Sequence, residues 1–143
     1  MLKHIPPILS PELLKILMEM GHGDEIVIGD GNFPAASMAN RLVRCDGHGV
    51  PALLDAILAL FPLDSFVEAP VALMEVVPGS DITNPPIWAV FQEIIEKHEP
   101  VHNKIARIER FAFYERAKTS YAIVATGESA LYANVILKKG VVT

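Results

Sequence analysis

A single cysteine, Cys45, stands in 143 residues. That excludes an intrachain disulfide and any multi-cysteine zinc or iron–sulfur site, and Cys45 reads as a small buried apolar side chain. No apolar run approaches the roughly 18–20 residues of a membrane span. The start, Met1 to Pro7, lacks the apolar core of a secretory signal, which predicts a cytoplasmic protein. Basic residues are outnumbered, 12 Lys and Arg against 17 Asp and Glu, for a net charge of −5. The one tight basic cluster is Lys138-Lys139, so a phosphate-tracking surface, and with it nucleic acid, is not expected.

Several catalytic frames are also missing. There is no Gly-x-Ser-x-Gly elbow, no Walker loop and no His-Glu-x-x-His pair. His22-x-Asp24 and Asp46-x-His48 are too short and too common to specify a metal, so none is expected. Gly29-x-Gly31 follows a strand-like run, but Pro34 stands where a third glycine belongs. Asp30 would also repel a pyrophosphate, so a dinucleotide is not expected either.

What is abundant is apolar: 51% of residues are hydrophobic and 20% charged. A substantial core can form, and disorder is excluded. A mean hydropathy of +0.34 leaves surplus apolar surface of the kind buried between subunits, which predicts a homo-oligomer.

The pattern alternates helix and strand. Ser10-Pro11-Glu12 opens a helix by capping, by proline at the first position and by charge. Its apolar face is Leu13, Leu14, Leu17, Met18 and Met20, and Gly21 is expected to stop it. Strands are expected over 25–29, 41–45, 71–77, 105–110, 121–126 and 132–138. Helices are expected over 51–61 and 86–99, the latter with the stripe Val90, Phe91, Ile94 and Ile95, and a short one over 111–118. This is one α/β domain with a mixed sheet.

Ligands of α/β folds gather where loops leave the strands. Two loop systems are polar enough to matter. The first flanks the 25–29 strand, with His22 between two glycines on one side and Asp30 to Pro34 on the other. An imidazole ordinarily titrates near neutrality, which suits acid/base work; His22 equally suits the decoration of a helix C-terminus. The second is Thr126-Gly127-Glu128 with Tyr132-Ala133-Asn134. A phenol and an amide two residues apart on a strand face one side and suit a sugar. Arg110 sits among Phe111 and Phe113, where partial enclosure is expected.

Five collinear stretches carry a resemblance: SPELLK at 10–15, MGHGDEI at 20–26, DGNFP at 30–34, RFAFYERA at 110–117, and TGE at 126–128 with YANVILKKG at 132–140. Together they resemble the ribose pyranase/fucose mutarotase family over essentially the whole chain. Arg110 resembles the L-fucose branch; the D-ribose branch tends to carry histidine there. The resemblance implies a three-layer α/β/α domain over residues 1–143 and a cofactor-free isomerase that interconverts α and β anomers. It implies His22 as the acid/base residue and Asp30, Arg110, Tyr132, Ala133 and Asn134 as the sugar site, with Ala133 contributing backbone alone. It further implies a decamer of two stacked pentameric rings with sites near subunit boundaries. Gly31 departs from the alanine expected of relatives, and Gly29 and the Pro85-Pro86 loop also diverge from the family pattern. A D-ribose-type pyranase and a non-catalytic monosaccharide-binding protein are the alternatives.

Overall fold

A computed structural model describes all residues, 1–143. Six strands form one sheet in the order β2-β5-β1-β6-β3-β4, with β1 Glu25–Gly29, β2 Leu42–Cys45, β3 Val71–Met74, β4 Ile105–Ile108, β5 Ala122–Thr126 and β6 Val135–Lys138. The β1–β5, β2–β5 and β3–β4 pairs are parallel, while β6 runs antiparallel to both β1 and β3. The sheet is therefore mixed, with one reversed strand near its middle. That reversal brings the start of β6 to the carboxyl ends of β1 and β3.

Alternation of side chains across the strands builds two apolar layers. Ile26, Ile28, Val43, Val71, Leu73, Val124, Val135 and Leu137 face one side, where they meet the buried residues of α1 (Pro11–Glu19), α3 (Val50–Leu58) and α4 (Ile87–His98). Val27, Ala72, Met74, Ile123, Ala125 and Ile136 face the other, under α2 (Ala35–Met38) and α5 (Arg110–Lys118). Helix, sheet and helix layers follow, as expected. Phe91 and Phe113 are fully buried, one in each layer. Burying a side chain of that size stabilises by about 1.5–3 kcal/mol. Asp55 of α3 clasps α4 through His98 Nε2 at 2.7 Å and Lys97 Nζ at 2.9 Å. No helix is long and apolar enough to cross a membrane.

Ser10 caps α1 by accepting the Leu13 N–H at 3.1 Å, with Pro11 at the helix start. The stop is not Gly21. Met20 leaves the helix in an extended conformation, and the left-handed glycine is Gly23, at φ +87°. The buried face of α1 is Leu13, Ile16 and Leu17, whereas Met18 is 85% exposed. In α4 the buried stripe is Trp88, Phe91 and Ile95, with Val90 on the surface. Cys45 is buried on the α1/α3 side, as its apolar character predicts.

Candidate active site

A cavity of about 230 Å³ opens at the carboxyl ends of β1 and β3, the place where open α/β sheets bind ligands. Asp30 follows β1 directly and is 6% exposed. Its Oδ1 accepts the Asn32 N–H at 3.0 Å, and its own N–H donates to Asn134 Oδ1 at 2.8 Å. Burial pushes the Asp30 carboxyl above the ordinary range, opposed by the N–H groups of Asn32, Ala133 and Phe33 and by the Asn134 side chain. The loop behind it is tied down, because Gly31 N–H donates to the Glu128 carbonyl at 2.8 Å and Thr126 Oγ1 donates to the Gly29 carbonyl at 2.8 Å. Gly29 is required: a Cβ there would lie 2.8 Å from the Phe33 ring, which covers it. Gly31 is therefore no loose point in the loop, whatever residue relatives carry there.

Tyr132, Ala133 and Asn134 stand just before β6 rather than within it. Tyr132 takes φ +58°, a left-handed conformation, and so the strand begins only at Val135. Tyr132 and Asn134 still line one cavity, by a turn and not by strand alternation. Ala133 is fully buried and does not line the cavity; its backbone N–H is turned to the Asp30 carboxyl. Arg110 opens α5, whose N-terminus is capped by the Glu109 carboxylate accepting the Phe111 and Ala112 N–H groups. The Arg110 guanidinium lies 4.8 Å from the Phe111 ring centroid and 5.7 Å from that of Tyr114, on the cavity wall. Arg110 is exposed in the single chain, not enclosed. The cavity thus holds an acceptor wall at Asp30, a donor wall at Arg110, and a phenol. Phe33, Met74, Val77, Tyr114 and Leu131 add apolar surface and Asn32 a second amide; Met74, Val77 and Leu131 carry no signal in the sequence.

His22 is elsewhere. It precedes β1, and five residues of extended chain at about 3.3 Å each place it roughly 16 Å from Asp30, at the opposite end of the sheet. There His22 Nε2 lies 3.0 Å from Asp64 Oδ1, and its ring packs 5.2 Å from that of Phe66. The turn is fixed by Gly23 N–H donating to the Lys139 carbonyl and Gly21 N–H donating to Asp24 Oδ2, both at 2.8 Å. Burial pushes the Asp64 carboxyl up, but the Phe66 N–H and His22 outweigh it and hold Asp64 below the ordinary range. Asp64 is 42 residues from His22, and no local motif announces the pair. His22, with its side chain 43% exposed, faces outward beside Phe66, which is 74% exposed. Within one chain it does not meet the Asp30 cavity. No three His, Cys, Asp or Glu side chains come together in a way that could hold a metal ion.

Comparison with known proteins extends along the same whole length. The L-fucose mutarotase of Actinobacillus pleuropneumoniae is 54% identical over 141 residues, covering 99% of this chain and 97% of its own. The human fucose mutarotase is 52% identical over 145 residues, covering 98% of this chain and 94% of its own. The crystal structure of the fucose mutarotase in complex with L-fucose from Streptococcus pneumoniae is 58% identical, with a TM-score of 0.94, and covers 99% of this chain and all of that one. The model of the RbsD / FucU transport protein family matches residues 3–142. With every helix and strand inside that match, the chain belongs to the RbsD / FucU family.

Proposed function

We propose that residues 1–143 act as one sugar mutarotase unit, an isomerase that interconverts the α and β anomers of L-fucose by general acid/base ring opening and closing, without a cofactor. The observation that carries this is the cavity: a buried carboxylate, a guanidinium and a phenol around a space lined with apolar side chains, in a chain more than half identical to proteins named fucose mutarotase. A 6-deoxy sugar offers hydroxyls to the polar walls and a methyl group and C–H faces to the rest.

The chemistry needs no redox step and no covalent intermediate. A proton leaves the anomeric hydroxyl and one reaches the ring oxygen; the C1–O5 bond breaks and the aldehyde forms. Rotation about C1–C2 presents the other face of the carbonyl, and the reverse transfers close the ring. Asp30 accepts hydrogen bonds from sugar hydroxyls, Arg110 donates charge-assisted ones, Tyr132 and Asn134 complete the grip, and the Ala133 N–H holds the Asp30 carboxyl in place. Arg110, where the D-ribose branch tends to carry histidine, supports L-fucose over D-ribose.

His22 is the acid/base group of this reading. Asp64 engages Nε2, which leaves Nδ1 to carry the exchanging proton. Its distance from Asp30 within one chain means that His22 of a second copy completes each site. Phe66 beside His22 is 74% exposed, Leu131 on the cavity wall is 51% exposed and Phe111 under the Arg110 guanidinium is 62% exposed, apolar surface suited to such a contact. A ring-like decamer of two pentamers is the assembly we expect, and sedimentation measures it.

Saturation-transfer NMR on the L-fucose anomer pair, with and without protein, tests the function. Exchange should accelerate in proportion to protein concentration. Binding without faster exchange makes the chain a monosaccharide-binding protein instead. Acceleration confined to D-ribose moves it to the pyranase branch.

A further inference from the structure

Tyr132 is one of two non-glycine residues with a left-handed backbone, and the other, His4, lies in the N-terminal segment far along the chain. An L residue persists in that conformation only where its surroundings over-determine it. Ala133, which follows, is fully buried, and Asn134 is bound to the Asp30 N–H. The remaining constraint comes from α4. Trp88, 5% exposed, donates its Nε1–H to the Tyr132 carbonyl at 2.9 Å. An indole N–H is a donor only and must find an acceptor when buried, so ring and carbonyl fix each other. Arg107 lays its guanidinium over the same indole, 4.6 Å from the ring centroid. At the far end of the side chain, the Tyr132 hydroxyl lies 3.5 Å from Val77 N–H, in the loop leading to α4. Trp88 itself does not line the cavity.

We infer that Trp88 is a positioning residue for the sugar site: its indole N–H holds the Tyr132 carbonyl, so that the left-handed backbone turns the phenol into the cavity. The inference rests on the mutarotase reading. It makes α4 part of the site's support, although no residue of that helix lines the cavity. Without the N–H, the Tyr132 peptide is free to relax out of its left-handed conformation, and the phenol loses its place.

Trp88 is the only tryptophan of the chain. Biosynthetic replacement by β-(3-benzothienyl)alanine therefore alters one position and exchanges the N–H for sulfur at nearly constant shape. Trp88→Phe removes the same donor by mutation. Each change is made in the unaltered protein and in Tyr132→Phe, and kcat/KM for L-fucose anomer exchange is measured alongside the thermal midpoint. Both changes should lower kcat/KM about fivefold to twentyfold in the unaltered protein, the rate equivalent of losing one hydrogen bond and the conformation it holds. In the Tyr132→Phe background the same changes should cost less than about twofold, because the group through which Trp88 acts is already gone. Equal losses in both backgrounds, or no loss from the sulfur replacement, overturn the inference. If Trp88→Phe fails to fold, the sulfur replacement decides alone. No exchange by the unaltered protein removes the mutarotase reading and this inference with it, whereas exchange with additive losses removes only the inference.

Discussion

The two ends of β1 present the same residue type in opposite states. At the carboxyl end, burial dominates Asp30 and raises its pKa despite four hydrogen-bonding neighbours. At the amino end, Asp64 is as well buried, yet the Phe66 N–H and His22 overcome that burial and lower its pKa. Both carboxylates have donors; burial outweighs them at Asp30 and is outweighed at Asp64. The first lies inside a cavity and the second stands behind an outward-facing imidazole. The proposed function makes the cavity a recognition wall and the imidazole an acid/base arm, placed at opposite ends of one strand, so that a second copy must bring the arm of one chain to the wall of another.

The largest break in this comparison is His22→Ala. L-fucose exchange should fall about 10²–10⁴-fold, the contribution of one positioned acid/base group, while the sedimentation coefficient and circular dichroism stay unchanged. A folded His22→Ala protein that retains near-normal exchange takes the arm out of the account.

Arg110→His acts on the wall and should have a smaller effect. A guanidinium offers five donors in a rigid fork and histidine at most two. Losing a hydrogen bond to a charged group costs about 1.5–3 kcal/mol, or one to two powers of ten in kcat/KM. L-fucose exchange should fall by about that factor, and D-ribose exchange should fall less or rise. Equal ratios for the two sugars in both proteins would show that Arg110 does not choose between them.

The fold was legible where patterning is local. The run Glu25 to Gly29 predicts β1, and Ser10-Pro11-Glu12 predicts the start of α1, because propensity and capping act over a few residues. Limits set by tertiary contact were not legible. Tyr132 looks like strand until Trp88, 44 residues away, holds it left-handed. Met18 and Val90 fit their helical stripes yet stand on the surface of the single chain. Of the candidate site residues expected from the sequence, Asp30, Arg110, Tyr132 and Asn134 meet in one cavity, whereas Ala133 is buried outside its lining. His22 and Asp30 look adjacent because eight positions separate them, but a strand between two residues puts them at opposite ends of a sheet. Asp64 and Trp88 carry no signature, since their partners are chosen by the strand order and not by spacing.

The smallest effect sharpens the contrast between the two aspartates. A carboxyl whose folded pKa is raised stabilises below the unfolded value of about 3.9 and loses that contribution as pH rises through the folded pKa; a lowered one stabilises above about 3.9 and loses its contribution as pH falls through the folded pKa. Relative to the unaltered protein, Asp30→Asn should therefore gain unfolding free energy as pH rises above about 3.9. Asp64→Asn should lose it as pH rises towards about 3.9. Denaturant unfolding at a series of pH values gives the two slopes, and slopes of the same sign would contradict the opposite environments.

Mixing two inactive variants tests the shared site most directly. His22→Ala keeps the wall and loses the arm; Arg110→Ala keeps the arm and loses the wall, and each alone should exchange L-fucose slowly. When equal amounts are unfolded together and refolded, random assembly places an intact arm against an intact wall in about one site in four, since each half is intact with even odds. The account predicts that the mixture recovers about a quarter of the unaltered protein's exchange rate. A mixture no faster than the average of its two components, with co-assembly verified by native mass spectrometry, would contradict it.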